Sequence, residues 1–119
     1  MKRGALRSGE KGRVLVAHTL RTENALERMR GLLARRPLED DEALWIEPCP
    51  SVHTLGMRYA IDVVFIDHDG RVRKVVEALK PFRFAACRGA RTTVELAAGV
   101  AGRLGIEPGM VLAWQEGKP

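Results

Sequence analysis

The run Val52–Asp69, VHTLGMRYAIDVVFIDHD, gathers His53, Thr54, Met57, Arg58, Tyr59 and Asp62 just ahead of an apolar stretch. Polar and titratable groups that lead into a core strand are held still by the scaffold, which is where sites are built. Arg58 and Asp62 suit two roles. As a pair they could orient an anionic ligand, with the guanidinium as fork donor and Arg83 and Arg88 beside it. As a structural clip they would satisfy turn amides. His53 beside Cys49 or Cys87 would make a thiol–imidazole pair, because a neighbouring imidazolium lowers a thiol pKa. Pro48 and Pro50 forbid a helix between Cys49 and His53, so spacing alone does not bring those two together. The plainer account of both cysteines is small buried hydrophobes.

Other groups carry weaker signals. Glu95, in TTVEL, needs a cation such as Arg91 or Arg58 if it faces inward, and is otherwise solvated. Phe82 and Phe84 flank Arg83, as in the aromatic–basic surfaces that hold single-stranded nucleic acids; packing beneath the sheet is the expectation here. His68 lies in Asp67–Gly70, DHDG, which reads as turn chemistry because the further oxygen ligands of a calcium loop are missing. Gly99–Gly105 lacks the Lys-Ser/Thr ending of a phosphate loop. There is no CxxC and no Cys/His spacing for zinc, so neither a metal nor a cofactor is expected.

These residues need elements to position them. Arg13–Leu20 alternates as a first strand. Thr22 is a good N-cap, and Ala25, Leu26, Met29, Leu32 and Leu33 recur at helical spacing, predicting an amphipathic helix over Glu23–Ala34 that Pro37 ends. Ala43–Glu47 is a short strand. Ile61–Asp67 is an almost unbroken apolar run, read as a central strand, and DHDG turns it into Arg71–Leu79 as a hairpin. Thr92–Leu96 and Met110–Gln115 are further strands. Ala97–Leu104 is a second short helix capped by Gly105.

The chain has 119 residues, one domain by length, with 45% apolar residues and only 5% aromatic, so its core must be aliphatic. The net charge of +5 is unevenly spread: residues 1–36 hold ten Lys/Arg against three acids, whereas residues 37–119 hold ten against twelve. A basic N-terminal third can mark contact with nucleic acid or an anionic membrane; a solvated Arg-rich surface is the plainer reading. No apolar run approaches the ~20 residues of a membrane span, and the N-terminus lacks the apolar stretch of a secretory signal. Cytoplasmic placement is the expectation.

From about residue 13 to 114 the chain resembles the family called domain of unknown function 192. The segments that carry the likeness are CPSVHTLGMRYAIDVVFIDHDGRV from Cys49, LKPFR at Leu79–Arg83, CRGAR at Cys87–Arg91 and VELAAGVAGRLGIEPGMVL from Val94. LRTENALERMRGLLARRPL resembles the family's helix, with Gly31-Leu32-Leu33 where Gly-Leu-Met is usual. The resemblance implies a small soluble domain, often placed behind a bacterial export leader, with no established activity. The positions that match are His53, Thr54, Met57, Arg58, Ile61, Asp62, Arg83, Cys87, Glu95 and Gly99.

The expected fold is therefore α+β: a β-rich single domain, a curled mostly antiparallel sheet or small barrel of six to seven strands with two short helices, after a flexible basic arm at 1–12. The expected function is a binding module with a polar pocket for a small anionic ligand or peptide. The candidate residues are His53, Thr54, Arg58, Asp62, Arg83, Cys87 and Glu95. The alternatives are a thiol/His-dependent hydrolase or transferase, and a nucleic-acid accessory module using the N-terminal cations.

Overall fold

Aliphatic and β-branched residues at alternating positions build a curled sheet in the computed structural model, which describes residues 1–24, 36–55 and 57–117. Nine strands and one helix follow in chain order: β1 (Lys2–Arg7), β2 (Val14–Arg21), β3 (Glu42–Ile46), β4 (Ser51–His53), β5 (Ile61–Ile66), β6 (Val72–Leu79), β7 (Phe84–Ala86), β8 (Thr92–Ala97), α1 (Val100–Leu104) and β9 (Ala113–Glu116). Seven strands form one sheet in the order β6-β5-β8-β3-β2-β1-β9, antiparallel except for the β2–β3 pair. β4 and β7 form a separate two-stranded ribbon.

The expected β-rich single domain is found, with differences. The sheet curls without closing as a barrel. Its two outer strands are joined by the segment before β9: Val72 N donates to Met110 O and Leu112 N to Gly70 O, both at 2.8 Å. The loose N-terminal arm is overturned over Lys2–Arg7, where β1 runs between β2 and β9 with Gly4, Ala5 and Leu6 buried. The physical reason is that the strand shows only two apolar side chains in the local sequence, and although β2 follows it as a hairpin, its other partner, β9, comes from a distant part of the chain. Gly4 is needed there, because a Cβ would run into Trp114 and the Gln115 carbonyl. The helix expected over Ala97–Leu104 starts later, at Val100, because Ala97 still pairs with Ile61 in the sheet. The helix expected over Glu23–Ala34 falls mostly on residues 25–35, outside the described residues.

The hairpin β5–β6 forms as the sequence predicts. Asp67 closes it, accepting from the amides of Asp69 (2.9 Å) and Arg71 (3.0 Å), and Gly70 supplies the left-handed φ of 83°. All six residues of β5 are buried, so both of its faces pack. On one face Val64 and Ile66 join Val94, Leu96, Val100, Ala101 and Leu112 around α1. On the other, Ile61, Val63 and Phe65 meet Leu44, Ile46, Met57, Leu79 and the ribbon residues Val52 and Ala85. The ribbon therefore lies over the second face of the sheet, with its outer side turned to solvent.

Candidate functional site

Asp62 does not share a hollow with His53 and Arg58. Its carboxylate is fully buried on the α1 side of β5. Oδ1 accepts from the Ala78 amide at 2.8 Å; Oδ2 accepts from the amides of Gly99 (3.0 Å) and Ala101 (2.9 Å). Gly99 is the N-cap of α1 and has no side chain to cap it, so Asp62 does that work from a neighbouring strand. Ala78 has a φ of 50° where β6 slips register against β5. The clip reading was right in kind, but backbone amides take the place expected for Arg58.

Thr54 is a second buried anchor, at the end of the ribbon. Its hydroxyl donates to the Lys80 carbonyl (2.6 Å) and accepts from the Arg83 amide (2.8 Å). Its backbone donates to Arg83 O and accepts from Phe82 N and Met57 N. Lys80–Arg83 is thus tied down at four points, and Phe82 is held at a left-handed φ of 60°.

That knot sets what the ribbon displays. Across β4–β7, Val52 lies opposite Ala85 and His53 opposite Phe84. The first pair points into the core; the second points outward. Phe82 is 66% exposed, Phe84 69% and Leu55 55%. The expectation that the two phenylalanines pack beneath the sheet is therefore overturned. Side chains alternate along β7, so Ala85 takes the inward position while Phe84 and Ala86 face outward, and Phe82 stands in the loop ahead of the strand. Arg58, Lys80, Arg83 and Arg88 are exposed around this patch, and Lys74 reaches it by donating to Ala86 O at 3.0 Å. β6, which sends Lys74 to the ribbon, also bears the exposed Glu77, while the segments 48–61 and 78–94 hold five cations, Arg58, Lys80, Arg83, Arg88 and Arg91, of which Arg91 is paired with Glu47. This was the signal in the sequence that pointed to the ribbon, and a tally by thirds of the chain hides it.

The thiol–imidazole pair does not form among the described residues. Cys49 Sγ donates to Ser51 O at 2.9 Å, Cys87 Sγ lies against Arg88 O at 3.7 Å, and both half-buried thiols pack toward the sheet while His53 faces outward. Glu95 lies on the ribbon side of β8, between Leu44 and Val63 in the register. It is buried, and its Oε2 has no hydrogen-bond partner among the described residues. Burial pushes its pKa up to about 7. The cations expected for it are elsewhere: Arg91 sits 3.8 Å from Glu47, and Arg58 is exposed. Glu47 also binds Arg21 (2.7 Å) and the Thr92 hydroxyl (2.6 Å), a junction that sequence reasoning missed.

A cavity of about 810 Å³ opens elsewhere, over β1–β3, lined by Arg3, His18, Leu20, Arg36, Leu38 and Glu42 among others. It contains none of the seven predicted site residues, and Arg36 there is already bound by both oxygens of Glu42, at 2.7 and 2.8 Å. No cluster of three metal-ligating side chains occurs among the described residues.

These features define a class: a small domain of one curled sheet that carries a basic, aromatic ribbon on its surface. The chain belongs to the domain of unknown function 192 family (DUF192, "Uncharacterized ACR"), which it matches over residues 7–114. It is 33% identical over 110 residues to a UPF0127 protein of Pyrococcus furiosus, covering 87% of this chain and 92% of that one. A crystal structure from Sinorhizobium meliloti, provisionally described as a transcription regulator, superposes with a TM-score of 0.79 at 25% identity over 95% of this chain and 92% of that one. One from Novosphingobium aromaticivorans, a protein of unknown function, superposes at 0.74 and 25% identity over 94% and 84%. A third, from Burkholderia pseudomallei and provisionally described as exported, shares the fold: TM-score 0.55, 19% identity, 96% of this chain but 25% of that one. Among the described residues no helix is long and apolar enough to cross a membrane.

Proposed function

We propose that this protein is a binding module that takes an anionic partner on the outer face of the β4–β7 ribbon. One observation carries the reading: three of the four large hydrophobic side chains exposed among the described residues, Leu55, Phe82 and Phe84, belong to the ribbon and its end loops, in segments whose exposed charges, Arg58, Lys80, Arg83, Arg88 and Arg91, are all positive. Exposed apolar area of this kind marks interaction sites, and the surrounding charge selects the sign of the partner. The site is a surface in place of the polar pocket expected from the sequence. His53, Arg58 and Arg83 supply contacts. Thr54 positions the loop that bears Phe82 and Arg83, and Asp62 holds the scaffold behind it. The Sinorhizobium neighbour's description as a transcription regulator is compatible with an anionic partner.

Titrating the ¹⁵N-labelled protein with inorganic polyphosphate tests this. Amide shifts are expected to concentrate at His53, Leu55, Arg58, Arg83 and Phe84 and to fade with salt. Shifts confined to the N-terminal third, or none at low salt, would reject the proposal.

A further inference from the structure

We infer that the ribbon's partner is a single-stranded nucleic acid, with bases stacking on Phe84 and Phe82 and phosphates facing Arg58, Lys80, Arg83 and Arg88. This rests on the reading of the ribbon given above and names its partner.

Charge alone does not account for the surface. An inorganic anion or a purely acidic chain such as polyglutamate would satisfy the guanidinium groups and leave two phenyl rings, 66% and 69% exposed, in water. A single strand offers both features at once, an anionic backbone and flat apolar faces, and stacking on aromatic side chains contributes about 1–3 kcal/mol per base. The placement of the groups fits that use. His53 and Phe84 are direct cross-strand partners on the outer face, which puts two flat rings side by side. Arg83 lies between the two phenylalanines in sequence. The rings are presented by a fixed frame, because Phe82 keeps a left-handed backbone that Thr54 secures by hydrogen bonds on either side. A non-glycine residue held in that region persists where its surroundings over-determine it.

The competing occupants fit less well. Duplex DNA keeps its base faces stacked away from the rings. A second copy of this chain, set face to face on the ribbon, would bring Arg58, Lys80, Arg83 and Arg88 against their own copies.

The test is fluorescence anisotropy at low salt with three probes of matched charge: a short labelled oligothymidylate, polyglutamate and inorganic polyphosphate. The oligothymidylate is expected to bind most tightly. Phe84→Ser and Phe82→Ser should each weaken it by roughly 5- to 100-fold, as the loss of one stacked base implies, and leave the salt slope unchanged. Arg83→Gln should instead lower the salt slope by about 0.7. Both phenylalanines are solvent-facing, and circular dichroism verifies that the variants stay folded. Equal binding of the Phe84→Ser variant and the parent, or polyglutamate as tight as oligothymidylate, overturns the inference. If polyphosphate moves the ribbon amides and oligothymidylate gains nothing over it, the nucleic-acid inference falls and the anionic-partner reading stands. If no polyanion reaches the ribbon, both fall.

Discussion

Glu95 is the side chain that the fold treats worst. A carboxyl placed between Leu44 and Val63, with one oxygen unpartnered among the described residues, is kept neutral by its apolar surroundings, and its pKa rises to about 7 from the ordinary 4.5. The folded chain therefore holds a proton that the unfolded chain releases. This group's contribution to stability falls as pH climbs from 4.5 to 7, then levels off once both states are ionised. The gap corresponds to a penalty on the order of 3 kcal/mol at alkaline pH. Urea denaturation of Glu95→Gln is expected to show a variant more stable than the parent at pH 8, with the difference shrinking toward pH 5. Parallel pH profiles for the two proteins would refute this account. The sequence leaves Glu95 open between an inward residue in need of a cation and a solvated one. It does not show that Arg91 turns to Glu47, 44 positions away, and Arg58 to solvent.

At the scale of elements, two knots hold the architecture together. Asp62 joins β5, the irregular end of β6 and the start of α1 through three backbone amides. Asp62→Ala strands those amides and should lower stability by about 3 kcal/mol or more, read from urea denaturation, with the largest gain in hydrogen exchange at Gly99 and Ala101. Asp62→Asn, which still offers one oxygen, should cost less. Unchanged exchange at α1 would contradict the capping role. The β5–β6 hairpin was legible because it is local: an unbroken apolar run, a turn built on Asp67 and Gly70, then alternation. β4 and β7 were not. Each has three residues, too few to show a period, and their pairing depends on Thr54 catching a segment that arrives 26 to 29 residues later. The helix expected over Ala97–Leu104 is present, but it starts at Val100 because pairing with β5 overrides helical propensity at Ala97.

Across the whole molecule, charge and curl separate the two ends of the reading. The sequence tally put the basic character in residues 1–36, yet part of that set is neutralised by local partners: Arg21 by Glu47 and Arg36 by Glu42. The exposed cations of the ribbon, Arg58, Lys80, Arg83 and Arg88, belong to a part of the chain whose total charge is slightly negative. Single-domain size followed from length, and the β-rich class from the short alternating and apolar runs between turn signals. The sheet order did not, because β1, which meets β2 as a local hairpin, reaches β9 only through long-range pairing. Gly4→Ala probes that seam: its new methyl group presses on Trp114 and the Gln115 carbonyl. It should lower stability by about 1–3 kcal/mol in thermal melts, with a shift in tryptophan emission. A melt identical to the parent's would mean that β9 gives way without cost.

The adjacency of β1 and β9 also bears on aggregation. Gly4 faces Glu116 in the register, and Gly117 N donates to Arg3 O at 2.9 Å, so β1 takes its second neighbour from a strand more than a hundred residues further along. Whenever β9 lifts away, β1 is left with an open row of amides and carbonyls beside Ala5 and Leu6. The same row that seals the sheet then becomes a template on which a sibling chain can pair.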